Sequence, residues 1–175
     1  MFSDPRHNIE QLGLSDHNIV ADFGAGSGFY AIEAARAVAP HGRVYAIDVQ
    51  KELLERLKKQ GHALHIKNIE ILTGDLEKIG GSKVREGLCD TVIVSNVLFM
   101  IEDKKAFLTE AKRILKPSGR LLLIDWSASF SHMGPHHDHV IYKDDAMKLV
   151  SSHGFAFERE IHAGAHHYGM IFRKQ

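Results

Sequence analysis

The feature that most constrains this chain is a glycine-rich segment in which a short apolar run leads directly into an amphipathic stretch. Residues 18–23 are typical of a buried strand, and residues 27–38 have the Ala and Ile spacing of a packed helix. The glycines between them, Gly24, Gly26 and Gly28, let the backbone turn sharply and approach a ligand closely. Free N–H groups at the helix N-terminus favour a carboxylate or phosphate. The segment predicts a nucleotide-like ligand site or, alternatively, a strand-to-helix turn without a ligand.

Glycine spacing and nearby acidic residues narrow the ligand class. The motif is G-x-G-x-G, whereas dinucleotide-binding proteins use G-x-G-x-x-G. Asp22 precedes the first glycine by two residues, and Asp48 ends the next predicted strand, where a carboxylate can accept hydrogen bonds from ribose hydroxyls. Asp48 could instead cap the following helix, because aspartate is a favoured N-cap. After the third strand, Gly74-Asp75-Leu76 is placed to contact the edge of an adenine.

Apolar runs alternate with amphipathic stretches along most of the chain. Strands are predicted at residues 18–23, 43–48, 69–72, 90–95 and 120–126, and helices at residues 27–38, 50–60, 103–115 and 143–153. The strands are continuously apolar, which indicates burial on both faces and predicts an α/β fold with a parallel sheet between helices. Residues 155–162 and 166–173 favour an antiparallel hairpin at the C-terminus.

Length and composition limit the function classes. A chain of 175 residues is expected to form one domain, 1–175. Lys+Arg and Asp+Glu balance at 22 each, which disfavours a nucleic-acid partner. Cys89 is the single cysteine, so no internal disulfide can form and a reducing cytoplasm is expected. No apolar run is long enough to predict a membrane span.

Five motifs follow one another in a diagnostic order: DFGAGSG at 22–28, YAID at 45–48, GD at 74–75, DTVIVSN at 90–96 and LKPSGRL at 115–121. On these motifs the chain resembles the class I methyltransferases, in particular the group that contains the ubiquinone/menaquinone biosynthesis methyltransferases. The resemblance implies a Rossmann-like three-layer sandwich with a seven-stranded, mostly parallel sheet, in which the last strand lies antiparallel between the fifth and the sixth. It also implies S-adenosyl-L-methionine as cofactor.

The resemblance carries cofactor-binding roles over to ten positions, namely Asp22, Gly24, Gly26, Gly28, Asp48, Val49, Asp75, Leu76, Ser95 and Asn96. Asp48 would bind the ribose, Val49 would flank the adenine and Asp75 would contact the adenine edge. Asp22 would lie near the amino group of the methionine part, and Ser95 would lie close to the methyl acceptor.

The acceptor side is less well defined by the sequence. We expect the acceptor pocket to come from an N-terminal segment, residues 1–17, from a loop at residues 127–142, or from a second subunit in a homo-oligomer. Trp126 and Phe99 follow strand ends on the ligand side and could shape an apolar site or simply pack.

The loop at residues 127–142 is rich in histidine, and eight of the 13 histidines in the chain lie at or after His132. Three interpretations of His136, His137 and Asp138 stay open. They could be solvated loop residues, or one of them could act as a catalytic base. They could also join His139 and either His166 or His167 around a metal ion, although the spacing matches no established zinc motif.

Together these observations predict a methyltransferase that acts on an unidentified small-molecule acceptor. Two alternatives remain at this stage. One is an adenosyl-cofactor- or metal-binding protein without transfer activity. The other is a nicotinamide-linked oxidoreductase, which the glycine spacing and the C-terminal hairpin disfavour.

Overall fold

The computed structural model describes residues 3–130 and 133–175, so two residues of the predicted N-terminal segment and two of the predicted loop, Ser131 and His132, lie outside the description. The strands are β1 (Ile19–Phe23), β2 (Arg43–Asp48), β3 (Ile69–Thr73), β4 (Cys89–Ser95), β5 (Leu115–Trp126), β6 (Phe155–Ile161) and β7 (His167–Lys174). The α-helices are α1 (Pro5–Glu10), α2 (Phe29–Ala37), α3 (Lys51–Ala63), α4 (Lys104–Ile114) and α5 (Lys143–Ser152). One-turn 3-10 helices lie at Leu98–Met100 and His137–His139.

The seven strands form one sheet in the order β3-β2-β1-β4-β5-β7-β6. Strands β1 to β5 are parallel to one another, and β7 is antiparallel to both β5 and β6. The predicted α/β fold and the position of the last strand are therefore confirmed. The parallel strands all end at the same edge of the sheet, which we call the C-terminal edge.

Side chains alternate between two faces of the sheet, and each face packs on its own set of helices. We call the face that carries Val20, Ile93 and Leu122 the first face, because these residues pack in one cluster with residues of α1, α2 and α3. The opposite face, which carries Val92 and Leu121, packs on α4 and α5. The alternation places Asp22, Asp48 and Ser95 on the first face at the C-terminal edge.

One local prediction is wrong, and one helix was not predicted. The sequence predicts a helix over residues 103–115 and a strand from residue 120, which leaves residues 116–119 as a turn, but α4 ends at Ile114 and β5 begins at once, with Leu115 paired to Cys89 of β4. The pairing continues from Thr91 after a register shift, so tertiary contacts outweigh the turn propensity of Pro117 and Gly119. Helix α1 was not predicted, because six residues are too few to show a helical period. Among the described residues, no helix combines the length and apolar character of a membrane span.

Candidate active site

A cavity of about 540 Å³ opens at the C-terminal edge of the sheet, and we call it the strand-end cavity. It lies over the ends of β1, β2, β3 and β4, where the crossover connections leave a crevice that commonly binds ligands in open α/β sheets. Its wall consists of Ser3, Pro5, Asp22, Gly24, Ala25, Gly26, Phe29, Tyr30, Asp48, Val49, Gln50, Leu53, Asp75, Leu76, Glu77, Ser95, Asn96, Val97, Met100 and Ile101.

Nine of the ten residues that the sequence assigned to the cofactor line this cavity, and Gly28 is the one that does not. Gly28 is the N-cap of α2 with φ +81°, and a Cβ at this position would overlap the Leu57 side chain of α3. Its lack of a side chain therefore permits a left-handed turn and close packing between two helices. The structure gives Gly28 a packing role, and it is not part of the cavity wall.

The glycine turn is held in a fixed position by its backbone. Gly24 and Ala25 both donate their N–H groups to the carbonyl of Ile47 on β2, at 2.9 and 3.0 Å. Gly24 has φ +73°, and a Cβ on it would lie 2.6 Å from Cγ2 of Val97. The close approach of the β4 segment therefore requires glycine here, which explains this position of the motif in steric terms.

Asp48 connects the glycine turn to the start of α3. It is 7% exposed, and its carboxylate accepts the backbone N–H of Gly26 at 2.9 Å and that of Gln50 at 2.8 Å. The N-cap of α3 is Gln50, so the alternative of Asp48 as a helix N-cap is wrong, although its carboxylate does stabilise the start of that helix. An ionised carboxylate offers about four acceptor positions, so about two stay available on the cavity side.

Asp22 is a buried acid at the floor of the cavity. It is 2% exposed, and its Oδ2 atom has no hydrogen-bond partner among the residues the structure describes. Burial, and to a smaller degree the charge of Asp48, raise the pKa of Asp22 to about 7, while the backbone N–H of Ala31 acts in the opposite direction. An acid in this state is suited to receive a cation from a ligand, because the cation would restore its ordinary ionisation.

Three further polar residues border the cavity. The Asp75 carboxylate contacts Nζ of Lys78 at 2.9 Å and accepts the N–H of Glu77 at 3.0 Å, and these contacts hold the pKa of Asp75 below its ordinary value. At the end of β4, Ser95 Oγ and Asn96 Oδ1 are buried without a partner among the described atoms. Unpaired buried acceptors and donors are rare in folded proteins, so they indicate a surface that a polar ligand completes.

The sequence assigned no role to Tyr30, and it offered the N-terminal segment only as a candidate part of the acceptor pocket. The Tyr30 hydroxyl on α2 lies 2.9 Å from Ser3 Oγ and accepts a hydrogen bond from the Asn8 side chain at 2.8 Å. Ser3, Pro5 and Tyr30 thereby close one side of the cavity. The available signal was a hydroxyl-bearing aromatic residue two positions after the third glycine, in the first turn of the predicted helix.

The structure does not bring His136, His137 and Asp138 to the cavity. Their side chains contact one another, with His136 Nδ1 3.1 Å and His137 Nε2 2.9 Å from the two carboxylate oxygens of Asp138. Each is about two-thirds exposed, and no described residue between 127 and 142 lines the strand-end cavity. The three ligand atoms are close enough to hold a metal ion, whereas His139, His166 and His167 do not belong to this group.

Comparison with known proteins identifies relatives of this architecture. Residues 14–163 match a family profile described as a methyltransferase domain. A ubiquinone/menaquinone biosynthesis C-methyltransferase from Pseudomonas putida is 32% identical over 126 residues, which are 70% of this chain and 47% of that protein. A protein of the same name from a Marinomonas species is 27% identical, over 73% of this chain and 50% of that protein. The chain spans about half the length of these curated relatives.

Solved structures give the same result for the fold. A SAM-dependent methyltransferase from Aquifex aeolicus matches with a TM-score of 0.90 and 27% identity, covering 99% of this chain and 91% of that one. An arsenic(III) S-adenosylmethionine methyltransferase from Chlamydomonas reinhardtii matches with a TM-score of 0.73 and 24% identity, over 93% of this chain and 64% of that one. The second likeness concerns the fold alone.

Proposed function

The chain belongs to the methyltransferase domain family, and from this premise we propose that it is an S-adenosylmethionine-dependent methyltransferase whose cofactor binds in the strand-end cavity. The observation that carries the proposal is that two buried carboxylates, those of Asp22 and Asp48, lie beside a glycine turn in one cavity at the end of the sheet. One carboxylate is suited to hydroxyls and the other to a cation, and the cofactor contains both a ribose and an ammonium group.

The residues present fit this cofactor. Asp48 has acceptor capacity left for the ribose hydroxyls after its bonds to Gly26 and Gln50. Oδ2 of Asp22 lacks a partner among the described residues and would receive the ammonium group of the methionine part. Val49, which is 61% exposed at the cavity rim, would cover one side of the adenine.

The other predicted residues would contact the remaining parts of the cofactor. Asp75 and the backbone of Leu76 would contact the adenine edge, and Gly24 with Gly26 would border the methionine part. Ser95 and Asn96, with their unpaired oxygens, would lie beside the methyl group and the acceptor.

When bound, the cofactor supplies an electrophilic methyl group on a positively charged sulfur. The task of the chain is to hold the acceptor in line with that methyl group, and such positioning can contribute about 7–11 kcal/mol in favourable cases. Asp22 and Val97, which are 2% and 7% exposed, form a buried surface on which the methionine part would lie. We expect a small-molecule acceptor and a cytoplasmic location, and we expect residues 1–175 to work as one domain.

Calorimetry tests the cofactor assignment directly. S-adenosylmethionine and its demethylated product S-adenosylhomocysteine are expected to bind with one site per chain, whereas NAD is not. Binding of NAD alone would favour the oxidoreductase alternative, and binding of none of the three would refute the proposal.

The acceptor class requires a second experiment. The protein is incubated with S-adenosylmethionine labelled in the methyl group and a cell extract separated into small molecules, nucleic acids and proteins. We expect label to accumulate in the small-molecule fraction. Label that appears only in nucleic acid or protein would contradict that part of the proposal.

A further inference from the structure

His167 is a buried imidazole that the site described so far does not use. It is 9% exposed at the start of β7, and neither of its ring nitrogens has a hydrogen-bond partner within residues 3–130 and 133–175. Leaving buried polar atoms unpaired costs free energy, so each such group in a folded protein requires an explanation. A ligand that pairs with the ring is one explanation, provided that His167 lies where a ligand of this protein can reach it.

The sheet register places His167 on the same face as the strand-end cavity. Ser95 on β4 pairs with Ile124 on β5, and Trp126, two residues further along β5, pairs with His167 on β7. Paired residues and residues two apart share a face, so Ser95, Trp126 and His167 all point to the first face. Neighbouring strands are about 4.8 Å apart, which puts His167 roughly 10 Å beyond Ser95 along the C-terminal edge.

The indole of Trp126 contacts the imidazole, and Phe130 in turn lies beside that indole. The ring centroids of Trp126 and His167 lie 4.3 Å apart, and Phe130 lies 6.2 Å from Trp126. The loop that follows β5 is packed onto this group: a Cβ on Gly134 would lie 2.7 Å from the indole, and Ser129 donates a hydrogen bond to the carbonyl of Pro135 at 2.9 Å. The polar imidazole therefore lies beside the apolar face of an indole, and small-molecule sites combine apolar surface with a few polar groups in this way.

We infer that Trp126 and His167 form the acceptor subsite, and that the acceptor is a planar molecule with a hydroxyl group, a phenol or an enol, which donates its hydrogen bond to the His167 ring. This inference rests on the proposed function, since it assumes that the cofactor lies over β1 to β4. Burial, together with the neighbouring His166, lowers the pKa of His167, so the ring is neutral near pH 7 and has a nitrogen lone pair available.

The reaction balances without a further reagent. The hydroxyl oxygen forms a bond to the methyl carbon while the methyl–sulfur bond breaks, and that electron pair stays on sulfur to give a neutral thioether. The hydroxyl proton passes to the His167 ring, which later releases it to water. His167 is then the catalytic base of this chain, in place of the exposed His136, His137 and Asp138 of the loop at residues 127–142.

Trp126 is the only tryptophan of the chain, so its fluorescence reports this subsite alone. The probes are phenol and its methyl ether anisole, which differ in the single proton donor, added to protein saturated with S-adenosylhomocysteine. Binding of S-adenosylhomocysteine is measured first by calorimetry, because its absence would refute the proposed function rather than this inference. We expect phenol to bind about tenfold more tightly than anisole.

His167→Phe retains a ring against Trp126 and removes both nitrogens. We expect it to bring the phenol-to-anisole ratio close to one while the affinity for S-adenosylhomocysteine is unchanged. The matched control is His162→Phe at the exposed end of β6, which is expected to leave the ratio as in the wild type. An unchanged ratio in His167→Phe, or no response of Trp126 to either probe, would overturn the inference.

A second measurement covers the case in which His167→Phe does not fold. In wild-type protein with 15N-labelled histidine, phenol is expected to shift the ring nitrogen signals that disappear in His167→Gln, and anisole is not. If these signals fail to respond to phenol, the inference is wrong.

Discussion

Replacing Asp48 by asparagine tests the central element of the strand-end cavity. The carboxylate uses about two of its four acceptor positions on Gly26 and Gln50, which leaves about two for the ribose hydroxyls. Asparagine retains one acceptor oxygen and turns an NH₂ group toward one of the donors. A hydrogen bond to a charged group contributes about 1.5–3 kcal/mol, so losing the charge should weaken binding of S-adenosylhomocysteine by about 2 kcal/mol, or roughly thirtyfold.

Titration calorimetry measures this change, and thermal unfolding of the unliganded variant shows whether the glycine turn stays folded. Asp144→Asn is the matched control, because it makes the same change of charge in the exposed first turn of α5, on the opposite face of the sheet. We expect the control to bind as tightly as the wild type. A folded Asp48→Asn variant whose affinity lies within twofold of the wild type would show that this carboxylate does not bind the ligand.

Three further outcomes are expected. Glu110 is fully buried, and burial raises its pKa, but the hydrogen bonds from Arg113, Ser82 and the backbone N–H of Gly80 together outweigh burial and lower the pKa to about 2. Glu110→Gln should therefore reduce the free energy of unfolding by about 3 kcal/mol, measured in urea. Since that contribution is complete above the ordinary pKa of 4.5, a loss that changed with pH between about pH 5 and pH 8 would contradict this assignment. Gly28→Ala should destabilise the fold by about 2 kcal/mol, because the backbone here is left-handed and the new Cβ would overlap Leu57. Leu57→Ala should therefore reduce the free energy of unfolding less in the Gly28→Ala variant than in the wild type. If thermal unfolding shows that the two losses are additive, the contact is refuted. Because the pKa of Asp22 is about 7 and an ammonium ligand favours the ionised form, calorimetric affinity should fall as pH decreases below 7, and Asp22→Asn should abolish this dependence.

Most of the fold could be predicted because its information is local. The strands β1, β2 and β4 are continuous apolar runs, and the glycine turn after β1 marks the change from strand to helix. The start of β5 could not be predicted in this way. Pro117 and Gly119 indicate a turn on their own, and only the pairing of Leu115 with Cys89 makes this segment part of the sheet. Pairing between distant segments leaves no periodic trace in the sequence.

The same distinction applies to the site. Asp48 and Asp75 were predicted because each directly follows or ends a strand, so their position at the C-terminal edge is implied by the order of elements. Tyr30 and Ser3 were not predicted, because their side chains are 27 positions apart in the sequence. The short helix that follows Ser3 also shows no helical period in the sequence. The histidine-rich loop is the opposite case, because its composition is conspicuous in the sequence whereas the His137 side chain faces solvent, in line with the interpretation of solvated loop residues.

The distribution of unpaired polar atoms connects the cofactor site to the acceptor subsite. Oδ2 of Asp22, Oγ of Ser95 and both ring nitrogens of His167 are buried without partners in the described part of the chain, and all three residues lie on the first face at the C-terminal edge. Pairing a buried polar atom contributes about 1–3 kcal/mol, so ligands that pair with the two ends of this row of residues contribute to stability separately. S-adenosylhomocysteine and phenol together should therefore raise the thermal unfolding midpoint by more than either ligand alone, and in His167→Phe the increment due to phenol should disappear while the increment due to S-adenosylhomocysteine stays.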